Sequence, residues 1–470
     1  MAWASSSPLD HAYLHVISID FSHFLFASVI ANSQMGLKGI LQKSPSDIVF
    51  LSALRTPITR SYKGGLRNAY PEQMLATVCP RVSTLSSSLA DFPQVLKATL
   101  ERNPDIPPSA IQDVAVGTVL SELGGSKAAR MALNHVGYRS STSLYTVNRA
   151  CASSFQAITT IADAIAVGRI DVGIGAGMES MTRNFATKAV PTQVWPELRE
   201  SPVKDARDCI MPMGITSENV AKNYNISRAD QDAFGVDSHI KASKAQKAGR
   251  FDEEIVPVSI TNPPVEGGGA EGSSTPQPGE TVSISADDGI RHNVSTVAMA
   301  NLKPVFNETG TTTAGNSSQI SDGAAAALMC RRSTASSLGL SSSIIGKYAG
   351  STVVGVAPDE MGIGPAYAIP PLLASVGLKV EDVGVWEINE AFASQALYCI
   401  RKLGLEGAME QGKINPRGGA IALGHPLGAT GARMVSTILS EMDGGQFGEV
   451  GVVSMCVGTG MGMAGLIVRE

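Results

Sequence analysis

Beyond about residue 47 the chain alternates short, nearly continuous apolar runs with stretches in which apolar residues recur every three or four positions. The first run is Ile48-Val49-Phe50-Leu51, and later ones cover residues 383–388 and Gly451-Val452-Val453. Strands buried on both faces read this way, and the intervening periodicity is that of amphipathic helices. The pattern therefore predicts a mixed α/β protein with buried sheets. The clearest helix opens at Cys151, from which Phe155, Ile158, Ala162 and Ile165 follow at spacings of four, three, four and three, with Gly168 as a stop.

Three stretches break the rhythm. Residues 71–78 begin well as a helix, with Pro71 in the first turn and Met74 and Val78 on one face, but residues 79–95 interrupt it with Pro80, Pro93 and a serine-rich run. Joining Val78 to Leu96 restores the apolar stripe, with Leu100 one turn on, so the segment reads as an insertion absent from the working protein. Residues 263–280, rich in Pro, Gly, Ser and Glu, read as a surface loop. Residues 12–31 are apolar yet carry His15, Asp20 and His23, which suits no membrane span. No basic segment precedes them and no arginine occurs before Arg55, so residues 1–44 are expected to be a poorly ordered extension.

At 470 residues, two or three packed units are expected. A net charge of -5 offers no basic field for nucleic acid, so an anionic ligand must be met by a local group of cations and amides. The six cysteines show no CxxC pair and no metal-ligand spacing with histidine, and are read as free thiols of a reducing compartment, with no metal.

Four places carry candidate chemistry. Cys151 at a helix start is placed where the helix dipole and free amides favour thiolate, although a lone cysteine is more often structural. His425 sits in the glycine-rich run from Gly418 through Gly424-His425-Pro426-Leu427-Gly428 to Gly431, where Pro426 would fix the imidazole and a catalytic base is the natural inference. Cys456 heads Cys456-Val457-Gly458-Thr459-Gly460-Met461-Gly462, whose glycines expose amides of the kind that stabilise an oxyanion, or simply mark a tight turn. Asn389 ends a strand-like run, where its amide could hold a water or a carbonyl. Finally, Asn148-Arg149-Ala150-Cys151-Ala152-Ser153-Ser154 echoes Asn389-Glu390-Ala391-Phe392-Ala393-Ser394-Gln395, which suggests two related halves, with chance as the alternative.

Together these motifs, in this order, resemble the thiolase family over nearly everything from Asp47 onward. Residues 207–221, containing Arg207-Asp208-Cys209-Ile210-Met211-Pro212-Met213-Gly214, look like the degradative, peroxisomal type. The resemblance implies an α/β fold, a five-layered α-β-α-β-α sandwich of two related halves. The first would span residues 45–330, with a loop domain at about 178–300, and the second residues 331–470. It implies that Phe392 occupies the place in the second half that Cys151 has in the first. It further implies Cys151 as nucleophile, His425 as its base, Cys456 as second acid and base, Asn389 holding a water, and the amides of Cys151 and Gly458 as oxyanion donors. The implied reaction is cleavage of a 3-ketoacyl-CoA by CoA. Coenzyme A is then a substrate, its pantetheine passing Ser318, Ala391 and Phe392, and no cofactor is permanently bound. For Ser318 the competing reading is a helix N-cap ahead of Asp322. A homodimer or dimer of dimers is implied, as is a peroxisomal location without a recognisable targeting signal, the alternative being cytoplasmic. A ketoacyl synthase-like condensing enzyme would not keep Cys456 in its glycine setting. A silent acyl-CoA-binding relative would be expected to have lost one of Cys151, Asn389, His425 or Cys456.

Overall fold

The computed structural model describes residues 36–78, 106–261 and 281–470. The proposed insertion at 79–95, the surface loop at 263–280 and most of the N-terminal extension lie outside these. The extension, expected to run loosely to residue 44, joins the fold at residue 36. Helix Gly36–Leu41 buries Ile40, and the Gly36 amide donates to Val376 O.

Among the described residues twelve strands form the frame: β1 (Ile48–Arg55), β2 (Thr59–Arg60), β3 (Asp113–Gly117), β4 (Ser143–Val147), β5 (Val172–Ser180), the hairpin β6 (Val258–Thr261) and β7 (Thr281–Ile284), β8 (Ser321–Arg331), β9 (Gly346–Gly355), β10 (Val385–Ile388), β11 (Val450–Val457) and β12 (Met461–Arg469). The long sheet runs β10-β11-β12-β9-β1-β8-β5-β3-β4, with β2 beside β8. It consists of two half-sheets joined by a short antiparallel pairing of Ile48, Val49 and Phe50 with Tyr348, Lys347 and Gly346.

The halves repeat each other strand for strand. β1–β8 and β8–β5 are antiparallel while β5–β3 and β3–β4 are parallel, and β9–β12, β12–β11, β11–β10 and the Trp386–Ile414 bridge repeat that order of senses. Helices follow suit, with Pro71–Val78, Ser126–His135 and Ser153–Ala166 answered by Gly364–Ser375, Ala393–Leu403 and Thr430–Met442. This corrects the reading of the sequence echo. The helix after Phe392 follows β10 and answers Ser126–His135, whereas the helix after Cys151 answers Thr430–Met442. The counterpart of Cys151 is thus the turn between His425 and Thr430, because strand order and not a seven-residue likeness decides equivalence.

Five layers result from period-two burial in the strands. In β8, Ala324, Ala326, Leu328 and Cys330 face one outer helix layer with Val49 and Leu51 of β1, while Ala325, Ala327 and Met329 face the centre with Phe50. In β11, Val450 and Val452 face the other outer layer, and Val453, Met455 and Val457 face the centre. The central layer is the pair Ser153–Ala166 and Thr430–Met442, covered by a half-sheet on each side, which is why both helices are buried nearly all round. Close packing there demands small residues: a Cβ added to Gly465 would lie 1.9 Å from the Phe155 ring.

Between β5 and β8 the chain leaves the sandwich. Helix Met213–Asn223 lies over the second half, where the Ser217 hydroxyl meets those of Thr312 and Ser394 at 2.8 Å each. Arg55 of β1 anchors this excursion through buried pairs with Asp287 (2.7 Å) and Glu254 (2.7 Å). No helix among the described residues is long and apolar enough to cross a membrane.

Candidate active site

The two central helices start at the same place. Ser154 Oγ, in the first turn of one, accepts the Ala432 amide of the other at 2.9 Å. Gly177 of β5 makes this meeting possible, since a Cβ there would lie 2.2 Å from Gly428 O and 2.5 Å from Ser154 Cβ.

Cys151 lies two residues before helix Ser153–Ala166, after a turn in which Ala150 takes a φ of 42°. A left-handed residue with a side chain is strained, and surrounding bonds must hold it. Here Asn148 Oδ1 accepts the Ala150 amide (3.0 Å), Ser153 Oγ donates to Ala150 O (2.6 Å) and also accepts the Arg149 amide (2.9 Å). Burial pushes the Cys151 thiol up to about 11, the amides of Gly458 and of Cys151 itself pull it down, and Glu179 pushes it up. The sequence-level expectation of a thiolate favoured at the helix start is thereby corrected: loss of solvent outweighs the amides, and the resting group is a thiol.

Gly458 follows β11 in a turn where Thr459 (φ 69°) and Gly460 (φ 89°) are left-handed, and this turn delivers the Gly458 amide to the Cys151 sulfur. Only glycine fits at 460, where a Cβ would sit 2.3 Å from Val356 O. Cys456, in the same strand, is wholly buried beside Met361, Ala391 and Phe392. Burial raises its thiol well above the ordinary range, and the sulfurs of Cys151 and then Cys399 push the same way. Cys456 lies two residues before Gly458, whose amide reaches the Cys151 sulfur, so β11 brings the second thiol into the same site.

His425 is buried, its amide bound to Gln319 O at 3.0 Å. Its ring meets a hydroxyl of the turn that Pro426 opens. Nδ1 lies 2.6 Å from Thr430 Oγ1, and that hydroxyl donates to Pro426 O at 3.1 Å. A hydroxyl that donates to Pro426 O can accept from Nδ1, an arrangement that leaves the lone pair on Nε2. Nε2 faces Asn389 Nδ2 at 3.4 Å. Burial, then the charge of Arg433, pushes the imidazole down to about 3, so the ring is neutral and able to accept a proton. Asn389 is held by its amide on Ser454 O (2.9 Å), and its Oδ1 has no hydrogen-bond partner among the described residues.

Ser318 is half-buried and donates its amide to Ala391 O at 2.9 Å, while Phe392 bridges to Ser317 and meets Phe306 edge-on at 6.4 Å. The helix N-cap reading of Ser318 fails because Ser321–Arg331 is a strand. Sequence reasoning missed Thr430, although it lies within the glycine-rich run, and also Ser154, Gly177 and Glu179. The available signal for Glu179 was a lone charge at the end of a strand otherwise made of apolar and small residues.

Two half-sheets of one topology, with a cysteine and a histidine at their touching helix starts, define the thiolase class. The chain matches the thiolase N-terminal domain over residues 48–333 and the thiolase C-terminal domain over residues 342–469, and it belongs to the thiolase family. It is 45% identical over 426 residues to the rat peroxisomal 3-ketoacyl-CoA thiolase B, covering 91% of this chain and 92% of that one. The crystal structure of the dimeric peroxisomal thiolase of Saccharomyces cerevisiae superposes with a TM-score of 0.77 at 42% identity, covering 92% of this chain and all of that one. A second structure of the yeast peroxisomal 3-ketoacyl-CoA thiolase, described as five-layered with two core domains of identical topology, gives a TM-score of 0.68 at 37% identity over the same shares.

Proposed function

We propose that the chain cleaves 3-ketoacyl-CoA with coenzyme A, releasing acetyl-CoA and an acyl-CoA shortened by two carbons. Cys151 attacks the 3-keto carbon as its proton passes to His425 Nε2. The keto oxygen becomes an alkoxide received by the amides of Cys151 and Gly458. The bond between C2 and C3 then breaks, its electron pair passes into the enolate of acetyl-CoA, and Cys456 delivers a proton to C2. His425 and a water held by Asn389 stabilise the enolate oxygen. Coenzyme A next yields its thiol proton to Cys456 and attacks the acyl group on Cys151, whose sulfur leaves and recovers its proton from His425. The raised thiol and the lowered imidazole make a resting ion pair unfavourable, so charge appears only when the substrate carbonyl can take it up.

The observation that carries this reading is the meeting of two backbone amides, its own and that of Gly458, on the Cys151 sulfur, with Cys456 two residues before Gly458 in the strand that leads there. We assign Ser318, Ala391 and Phe392 to the pantetheine arm, which lies on the Cys456 side. Coenzyme A is a substrate here and not a resident group. A homodimer and a peroxisomal location are part of the proposal, supported by the rat peroxisomal relative and the dimeric yeast peroxisomal structure. The domain limits proposed are residues 45–330, with the loop domain at 178–300, and 331–470.

The test offers purified protein acetoacetyl-CoA and longer 3-ketoacyl-CoA with free coenzyme A and follows loss of the ketoacyl chromophore. Cys151→Ala should abolish turnover, and Cys456→Ala should reduce it by about 10²- to 10⁴-fold. Undiminished turnover in folded Cys151→Ala refutes the chemistry. Imaging a tagged protein beside a peroxisomal marker tests the location, and a diffuse cytosolic signal refutes it.

A further inference from the structure

Glu179, the penultimate residue of β5, is wholly buried, and no step above uses it. Its carboxylate accepts three backbone amides: Oε2 takes Val119 (2.9 Å) and Gly428 (3.0 Å), and Oε1 takes Leu120 (3.2 Å). These amides belong to two different loops. Residues 119 and 120 follow β3 and lean on the nucleophile turn, where Asn148 Nδ2 donates to Val119 O at 3.3 Å. The neighbouring Gly117 has the backbone of Ser153 and Ser154 where a Cβ would be, at 2.2–2.6 Å. Gly428 lies three residues beyond His425, and a Cβ there would meet Glu179 Oε2 at 2.8 Å.

We propose that Glu179 is a positioning residue of the thiolysis reaction, fastening the Cys151 turn and the His425 loop to one strand end. This rests on the roles given to Cys151 and His425 above. A carboxylate offers two acceptor oxygens and so receives all three amides of both loops at once, which a neutral amide side chain with one acceptor oxygen could not. Besides the three amides, Asp322 of β8 acts on Glu179 and adds negative charge. Burial holds the carboxyl up at about 7, so it is charged under mildly alkaline conditions.

The experiment uses the full-length enzyme and reads kcat, KM and the urea midpoint, with iodoacetamide labelling of Cys151 followed by peptide mass spectrometry as the check on the nucleophile. In Glu179→Gln one of the two acceptor oxygens is gone, so the loops part and kcat falls about tenfold or more, because a displaced base loses its reach, with KM within about twofold. Glu179→Asp keeps both oxygens but reaches less far, so its kcat falls as well with KM unchanged. A folded Glu179→Gln enzyme with kcat within twofold of wild type overturns the proposal, and so does a loss confined to KM or to the urea midpoint. So does failure of Glu179→Gln to fold combined with wild-type kcat in Glu179→Asp. Should alkylation of wild-type Cys151 leave turnover intact, the reading of the nucleophile fails instead.

Discussion

Adding one methyl group at Gly177 separates the geometry of the site from the stability of the fold. A Cβ at this position would lie 2.2 Å from Gly428 O, 2.5 Å from Ser154 Cβ and 2.9 Å from Ala429 Cα. Ordinary contact begins near 3.4 Å, so the neighbours must retreat by about 1 Å. Strand β5 cannot yield in their place, because Gly177 is paired on one side with Gly117 and on the other with Ala325. The displaced atoms belong to the His425 loop and to the first turn after Cys151, so the strain enters as a wider gap between base and nucleophile. Overpacking of this kind costs about 1–3 kcal/mol, which a protein with a typical reserve of about 5–15 kcal/mol survives folded. A misplacement of about 1 Å costs on the order of 100-fold in rate. Gly177→Ala should therefore show native circular dichroism, a modestly lowered urea midpoint, KM close to wild type and kcat lower by about two orders of magnitude. Gly355→Ala, where an added Cβ meets nothing within 4 Å, serves as the control and should match wild type. A folded Gly177→Ala enzyme with kcat within twofold of wild type would falsify the claim that contact between the two helix starts sets the catalytic geometry.

Arg55→Ala strands the buried carboxylates of Glu254 and Asp287, which should cost about 3–5 kcal/mol in urea unfolding; a loss below about 1 kcal/mol means the pair is not desolvated as described. Burial, and then Arg291, pushes His239 down to about 4, so the folded state takes up its proton later than the unfolded chain does on acidification. Its contribution to stability is complete above about 6.5 and is lost as pH falls through about 4. His239→Gln should accordingly lose less stability than wild type between pH 7 and 4, a comparison that isolates the imidazole from Glu179, whose raised carboxyl acts in the opposite sense; parallel curves would rule this out. If residues 79–95 are an insertion absent from the working protein, native peptide mass spectrometry should yield peptides joining residue 78 to residue 96, and abundant peptides crossing 79–95 would end the idea.

Local periodicity was enough to mark β1, β10 and β11 and the helix Ser153–Ala166, because each is written within a few successive side chains. The same local reading singled out Cys151 at a helix start, Asn389 at a strand end, and His425 and Cys456 by the glycines around them, while the role of Gly458 came with the family resemblance. It matched the wrong helices across the two halves, because seven similar residues carry no information about strand order, which only the pairing of β10 with β11 and of β3 with β5 supplies. It took the Cys151 helix start to favour thiolate, because the dipole is visible in sequence while burial by the opposite half-sheet is not. Glu179 and Gly428 are 249 positions apart, and Thr430 matters only because Pro426 O uses its proton. Elements and candidate chemistry were thus determined by the chain itself, where the physics acts between neighbours. The protonation of the thiol and the spacing of the two helix starts were decided by the tertiary structure, because each depends on solvent exclusion and hydrogen bonds between segments that meet only when the halves close on each other.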